Sequence, residues 1–429
     1  MAPPGAIPLP GAAPLTDASF GTIRLPGSAR PPGTGAEAVR FFARAPVFLR
    51  LIIRGAFLQL VTFGFYRFWL TTDVRRHLWS HTSTAGDALE YTGRARELLI
   101  GFLLALAVLS PIYLGYFIVG IELERARAFA SLPLFVLFYL LAQFAIYRAR
   151  RYRLTRTIWR GVRFWMTGSG VNYAFRSSLW MLLVIVTLGG AYPWRAAAIE
   201  RYKLRHTRYG NLPGSFDATG GQLFGQAGWI WLVFLCPVIA VVLGAIAASG
   251  AVASGTRTIL IILAVCFGFA LPALPFLWPV FRAIEWCWWA NGLRIGEVRV
   301  ISDLGRTAIL TLYIRFLLFA FVITAISGTI AATAVALLST GKPQAIGRFG
   351  ATPGVAEIGV LAGLAVLYLV TFLAIGVAQR FYLQHELWRV VAQSLRLENL
   401  DAAANVMAEG VPVGALGEGL ADSLDVAGF

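Results

Sequence analysis

Apolar residues in this chain are gathered into long blocks, with the polar residues in short stretches between them. Crossing a bilayer as a helix takes about 20 consecutive apolar residues. Residues 98–119, 228–248, 259–278, 308–331 and 358–377 reach that length, and 132–147 approaches it by borrowing from residue 128 onward. The blocks pair naturally, because the stretches 122–127, 248–257 and 340–357 are short and nearly charge-balanced. The other connections are basic. The extreme case, residues 147–164, reads YRARRYRLTRTIWRGVRF and holds arginines at 148, 150, 151, 153, 156, 160 and 163 with no acid. Basic loops stay in the cytoplasm, so the pattern predicts three hairpins that dip outward and return.

Two apolar blocks, residues 57–70 and 178–194, do not fit as spans. Each is short and broken near its end by Thr-x-Gly, followed by aromatic residues that favour headgroup depth. A single full crossing by each would put basic loops on both faces. The expectation is an all-α, polytopic membrane protein with six full spans in three hairpins plus two short re-entrant or interfacial segments. Eight full spans is the alternative.

The same two blocks open a repeated stretch. Residues 61–81 read VTFGFYRFWLTTDVRRHLWSH and residues 186–206 read VTLGGAYPWRAAAIERYKLRH. Laid side by side without a gap, they share Thr62/Thr187, Gly64/Gly189, Trp69/Trp194, Arg76/Arg201 and His81/His206. An internal duplication accounts for this, with one unit over residues 46–170, a second over 171–300 and a partial unit over 301–400. Residues 1–45, rich in Pro, Gly and Ala, read as a disordered cytoplasmic arm without the continuous apolar core of a signal peptide. Residues 401–429 read as a disordered cytoplasmic tail.

Composition agrees with a membrane protein. The 429 residues are 58% hydrophobic and only 14% charged, and the mean hydropathy is +0.70. The formal net charge of +16 points to cytoplasmic loops facing anionic lipid headgroups. No groove-reading module supports nucleic-acid binding. The three cysteines show no disulfide framework and no metal spacing.

The run Thr187, Leu188, Gly189, then Tyr192, Pro193 and Trp194, continues through Arg201, Tyr202, His206, Thr207 and Asn211. It resembles the signature of the YjgN-like family, bacterial inner-membrane proteins carrying a domain of unknown function. The first copy departs from that signature at Arg67, Phe68 and His77. The resemblance covers residues 41–400. It implies an inner-membrane location and a helical fold, and it implies no activity.

Candidate chemistry is sparse. Asp73, His77 and His81 fall at i, i+4 and i+8 on one helix face, with His206 matching His81 in the second copy. Such a set suits a transition metal, and a solvated polar face is the plainer alternative. Trp69, Arg75, Arg76, Trp194, Arg201, Lys203 and Arg205 cluster just after the apolar blocks, as a headgroup site would require; loop orientation alone also explains them. Thr62, Gly64, Thr187, Gly189, Tyr192 and Pro193 are expected to be structural. Residues 98–119 and 228–248 contain no Asp, Glu, His, Lys or Arg, which argues against an ion-coupled pump. Nucleophile and phosphate-loop motifs are missing, so enzymatic activity is not expected and no cofactor is called for. The favoured function is binding or movement of an amphipathic, lipid-like substrate at the inner-membrane interface, with both termini cytoplasmic. A scaffold that binds a protein partner, or a homo-oligomer, through basic loops is the first rival, and a membrane-embedded metalloenzyme the second. If Trp69/Arg76 and Trp194/Arg201 are halves of one site, they should share a cavity.

Overall fold

The computed structural model describes residues 36–126, 132–249, 253–268, 271–341, 355–410 and 412. Strands β1 (Glu37–Ala38) and β2 (Arg40–Phe41) lead into a helix pair, α1 (Ala45–Val61) and α2 (Arg67–Ser80). Strands β3 (Thr82–Thr84), β4 (Asp87–Ala88) and β5 (Glu90–Tyr91) follow, then the pair α3 (Ala95–Ala126) and α4 (Leu132–Thr155). The hairpin β6 (Thr157–Trp159) and β7 (Val162–Met166) precedes α5 (Gly170–Val186) and α6 (Tyr192–Arg205). The hairpin β8 (Thr207–Tyr209) and β9 (Leu212–Phe216) precedes α7 (Gly220–Ala248), α8 (Ser254–Gly268) and α9 (Leu274–Gly292). Last come β10 (Leu293–Ile295), β11 (Val298–Ser302), α10 (Ala308–Gly341), α11 (Val355–Arg380), a π turn at Phe381–Glu386, α12 (Leu387–Gln393) and β12 (Leu395–Glu398).

These short strands close into a ring. One sheet runs β1-β12-β11-β10-β9-β8-β7-β6-β5 and another β2-β3-β4. Val39 joins β1 to β2 and donates its N–H to Leu395 O at 3.0 Å; Leu89 joins β4 to β5 and donates to Thr82 O at 3.0 Å. The two sheets are therefore continuous through residues 37–41 and 87–91, and the ladder returns to its start with every described neighbour antiparallel. A closed sheet leaves no edge for another chain to extend. Its interior is filled, not hollow. Trp159, Tyr209 and Val298 are buried there with Leu89, Phe164 and Leu397, and Tyr209 Oη donates to Trp159 O at 2.9 Å. Leu400, Ala403 and Val406, from the segment after β12, complete this core.

Two-residue turns set the register of four hairpins. Ala85-Gly86, Arg160-Gly161, Gly210-Asn211 and Gly296-Glu297 each place a positive φ at the first turn residue, as the right-handed twist of paired strands favours. One further bond recurs around the ring. The residue leaving a strand donates its N–H to the carbonyl just before the next first strand: Phe42 to His81, Thr92 to Arg156, Thr167 to His206, Asp217 to Gly292, and Asp303 to Ser394. Each helix pair is thus tied at its base by the same contact.

The helices form a second ring on the first. Most neighbouring helices pack side by side, α9 packs on α7, and α11 returns to α1; Ala105 and Leu109 of α3 meet Ala145 and Ala149 of α4. Among the described residues, four helices are long and apolar enough to cross a membrane: Ala95–Ile118, Gly220–Ala248, Ala308–Leu337 and Ile358–Gln393. At most 22% of each apolar window is buried inside the protein, which suits lipid-facing surface.

The all-α expectation is corrected by the closed sheet. Its strands are two to five residues long and lie inside connections that read as basic loops. Two of the six expected spans also fall outside the four. Residues 132–147 belong to α4, whose second half carries the arginines. Residues 259–278 are broken after Gly268, and α9 restarts with Pro275 in its first turn and Pro279 inside. The arm expected over 1–45 ends in β1 and β2, and the tail expected from 401 begins in the 3-10 turn Leu400–Ala403. Residues 1–35 and 413–429 lie outside the described residues.

Ring closure is testable by cross-linking. Ala38 and Arg396 are direct partners across the β1–β12 seam, within disulfide reach for antiparallel neighbours. With Cys236, Cys266 and Cys287 changed to Ser, the Ala38→Cys/Arg396→Cys chain should cross-link internally under mild oxidation and shift on a non-reducing gel. An unshifted chain would leave the ring open at that seam.

Candidate functional site

The repeated Thr-x-Gly forms the same corner twice. Thr62 Oγ1 donates to Leu58 O at 2.7 Å and accepts from Tyr66 N at 3.0 Å. Thr187 Oγ1 donates to Leu183 O at 2.8 Å and accepts from Ala191 N at 2.9 Å. One hydroxyl thereby caps the end of one helix and the start of the next. The two residues after each threonine turn left-handed: Phe63 (φ 49°) and Gly64 (φ 88°), Leu188 (φ 49°) and Gly189 (φ 92°). Glycine tolerates this conformation, while Phe63 and Leu188 sustain about 1 kcal/mol of strain each. Pro193 opens α6, where its missing N–H costs nothing. Tyr192 Oη donates to Glu285 Oε1 at 2.6 Å, tying α6 to α9.

Trp69 and Trp194 sit just past these corners, 37% and 43% exposed, each against an aromatic neighbour, Tyr66 and Phe224. The cations expected beside them are engaged within the protein. Arg75 is buried and donates to Tyr91 Oη at 3.3 Å. Arg76 donates to Gly93 O at 3.1 Å and Arg201 to Ala218 O at 3.4 Å, an equivalent bond to the loop that leaves the next hairpin. Lys203 pairs with Glu200 at 2.6 Å. Burial would raise the Glu200 carboxyl, but Lys203, Arg150 and the Trp289 indole hold it well below the usual carboxylate range. Arg205 stays exposed. The α3–α4 pair separates the two elements around the helix ring, since α2 packs on α1 and α3, and α6 on α5 and α7.

The histidines gather differently from the expected ligand set. Among the described residues no group of three His, Cys, Asp or Glu side chains is arranged to hold a metal. Asp73 is half-buried on α2 and adds nothing to the histidines. His77 and His81 stack with ring centroids 4.2 Å apart, and His81 Nδ1 lies 2.7 Å from His77 O. Their third companion is His385 of the π turn, which is 1% exposed. Phe48 of α1 lies between them, 5.6 Å from His77 and 4.7 Å from His385. His385 Nδ1 meets Glu386 Oε1 at 3.0 Å, and Glu386 pairs with Arg389. The Nε2 atoms of His77 and His385 are buried without a partner among the described residues. Burial first, then His81 and His385, push His77 down to about 4. His206 packs elsewhere, against Tyr202 and Thr167; burial and then Arg205 and Arg176 lower its pKa.

Sequence reasoning missed His385 and Glu386, which lie some 300 positions from His77 and meet it only because the ring closes. It also missed a third copy of the basic word. Arg151-Tyr152-Arg153-Leu154 repeats Arg201-Tyr202-Lys203-Leu204, a signal hidden by the surrounding arginines.

Residues 36–423 match the family described as bacterial protein of unknown function (DUF898). The chain belongs to this family, which is the YjgN-like family. No curated protein and no solved structure matches it.

Two outcomes follow for stability in detergent. Thr187→Ala removes a helix cap and strands the Ala191 N–H, so it should cost about 1–2 kcal/mol in thermal unfolding; Thr187→Ser should restore most of it. His77 has a folded pKa below its unfolded value of 6.5, so the unfolded chain binds the extra proton. The contribution of neutral His77 is complete above that value and is lost as pH falls towards about 4. Because the ring is part-exposed, screening holds the effect to about 1 kcal/mol. His77→Phe should flatten the loss of melting temperature over that window; an unchanged slope would remove His77 as its source.

Proposed function

We propose that this family member is an inner-membrane protein that binds an amphipathic, lipid-like molecule at the cytoplasmic interface, without covalent chemistry of its own. The observation that carries the reading is the pair of short hairpins α1–α2 and α5–α6. Their outward surfaces are apolar although they are too short to span. Phe63 is 94% exposed and Val186 79%, with Phe57, Phe65, Leu182 and Leu188 exposed beside them. Helices of 17 and 14 residues reach about 25 and 21 Å, short of a hydrocarbon core about 30 Å thick. Both ends of each hairpin join the same closed sheet, and a hydrogen-bonded ring lies wholly on one side of a bilayer. The hairpins therefore enter one leaflet and return, with Trp69 and Trp194 close to their tips.

The same argument supports the six-span arrangement, with α4 and α8 as the shorter partners in their pairs. The arginines at the strand ends favour a cytoplasmic ring, with both termini on that side. Five helix pairs on one ring extend the duplication reading: units 46–170 and 171–300 hold two pairs each, and 301–400 one. A scaffold is the second reading, favoured by the filled barrel, which offers a rigid polar wall and no channel.

Cysteines placed at Asp87, Arg160 and Glu297, all in exposed hairpin turns, should label only from the cytoplasm. Periplasmic labelling at any of them rejects the one-sided ring. In the same preparations, native mass spectrometry should find phospholipid retained by the intact chain. Phe63→Ser/Val186→Ser/Leu188→Ser should lower it several-fold, as lost apolar burial of ~1.5–3 kcal/mol per side chain requires. Retention unaffected by the triple change would favour the scaffold.

A further inference from the structure

One residue breaks the regularity of the ring. Thr82, Thr157 and Thr207 each open a strand and donate to the carbonyl four residues back, at 2.8, 2.9 and 2.8 Å. This fixes Arg76, Arg151 and Arg201 at one equivalent helix position, with Cys287 in the same place before β10. Three of these four side chains donate to the carbonyl 17 residues further on: Arg76 to Gly93, Arg201 to Ala218, and Cys287 Sγ to Leu304. The corresponding carbonyl for Arg151 is that of Gly168, and Arg151 does not take it.

Arg151 instead lines a cavity of about 680 Å³ with Thr155, Trp165, Met166 and Thr167. Its Nε is buried and has no partner among the described residues. Nor does it form an ion pair there; Glu97 serves Arg156 and Glu200 serves Arg150. The like charge of Arg148, one turn earlier, bears on it. The far wall is the chain's own C-terminal strap, Glu409, Gly410 and Pro412, with Gly410 flat against the Trp165 indole. Glu409 brings a carboxylate to the same cavity without pairing with Arg151. Thr155 ends α4 and Thr167 leaves β7, so the cavity opens where the barrel meets the helices.

We propose that this cavity binds the phosphate of an anionic amphiphile, with the Arg151 guanidinium as the recognising group and Glu409, Gly410 and Pro412 along its far wall. The chemistry is that of a planar fork of donors, which matches phosphate oxygens two at a time. The volume suits more than a bare ion. Trp165 and Met166 offer apolar surface to the part of the ligand next to the phosphate. A buried Nε–H left without an acceptor among the described residues costs free energy that an anion's oxygen would recover. The site rests on the lipid reading above and gives it a headgroup class.

The full chain in phosphatidylcholine nanodiscs should be titrated with a fluorescent short-chain phosphatidylglycerol. Arg151→Gln should weaken binding about tenfold, and Arg151→Lys by less, because the charge stays while the fork is lost. Arg299→Gln, an exposed control on the barrel wall, should leave affinity unchanged. Glu409→Gln should tighten binding by removing the competing carboxylate. Equal affinity in Arg151→Gln and the unaltered chain, at equal melting temperatures, overturns the site while leaving lipid binding intact. No binding by the unaltered chain sinks the lipid reading itself. Competition by inorganic phosphate at matched concentration would show the source to be free phosphate and reject the amphiphile.

Discussion

Closure of the β-ring governs this protein. No strand in it is longer than five residues, and isolated hairpins of that size are marginal in water. Joined into a ring through the continuous segments 37–41 and 87–91, none is left as a free sheet edge. The ring also dictates what the helices can do. Every helical excursion must begin and end at the same rim, so helices come in pairs that leave the ring and return to it. The three long excursions and two short ones are variations in reach on one base.

Most of the conspicuous polar chemistry serves that base. The threonine hydroxyls that open strands cap the helices before them, and the threonines of the Thr-x-Gly corners cap two helices at once. Arg76 and Arg201 hold carbonyls of the loops that leave the hairpins. These bonds are worth about 1 kcal/mol each, yet they recur at equivalent places and fix the angle at which each helix pair leaves the ring. A motif of Thr, Gly, Trp and Arg written twice is therefore mainly a description of a corner and its brace. Only the outward tryptophans and the neighbouring apolar side chains are left exposed.

The long excursions were legible in the chain because twenty apolar residues in a row have few other uses. The short hairpins were legible because a glycine with a threonine two residues before it breaks a helix at a recognisable point. The strands were not. In TIWRGVRFWM, Trp159, Arg160, Gly161 and Val162 spell a two-residue hairpin turn, but its arginines were already accounted for by loop orientation. His385 was out of reach for another reason. Nothing local in FYLQHE points to His77, and their contact is a consequence of ring closure alone. The expected Asp73–His77–His81 set failed on the same ground, since helical spacing brought the two imidazoles together while the third came from the far end of the chain.

The seam where α1–α2 meets α11–α12 is unlike the other joints of the ring. Elsewhere, neighbouring helix pairs are joined by a hairpin a few residues long, so the chain itself keeps them close. At the seam the two sides are the first and last pairs, and bringing them together costs the full loop-closure entropy of the intervening chain. The packing there is correspondingly dense in aromatic groups. Trp79 stacks on Trp388 at 4.6 Å, and the two indoles donate to Thr157 and Thr82. Phe48 and Ile52 are fully buried, and Phe41 is nearly so. Within this adhesive patch, His77 and His385 leave two buried ring nitrogens without partners among the described residues, which costs free energy that an apolar ring would not. Acid therefore weighs through His77, whose neutral ring burial favours, on the one joint that chain connectivity does not secure.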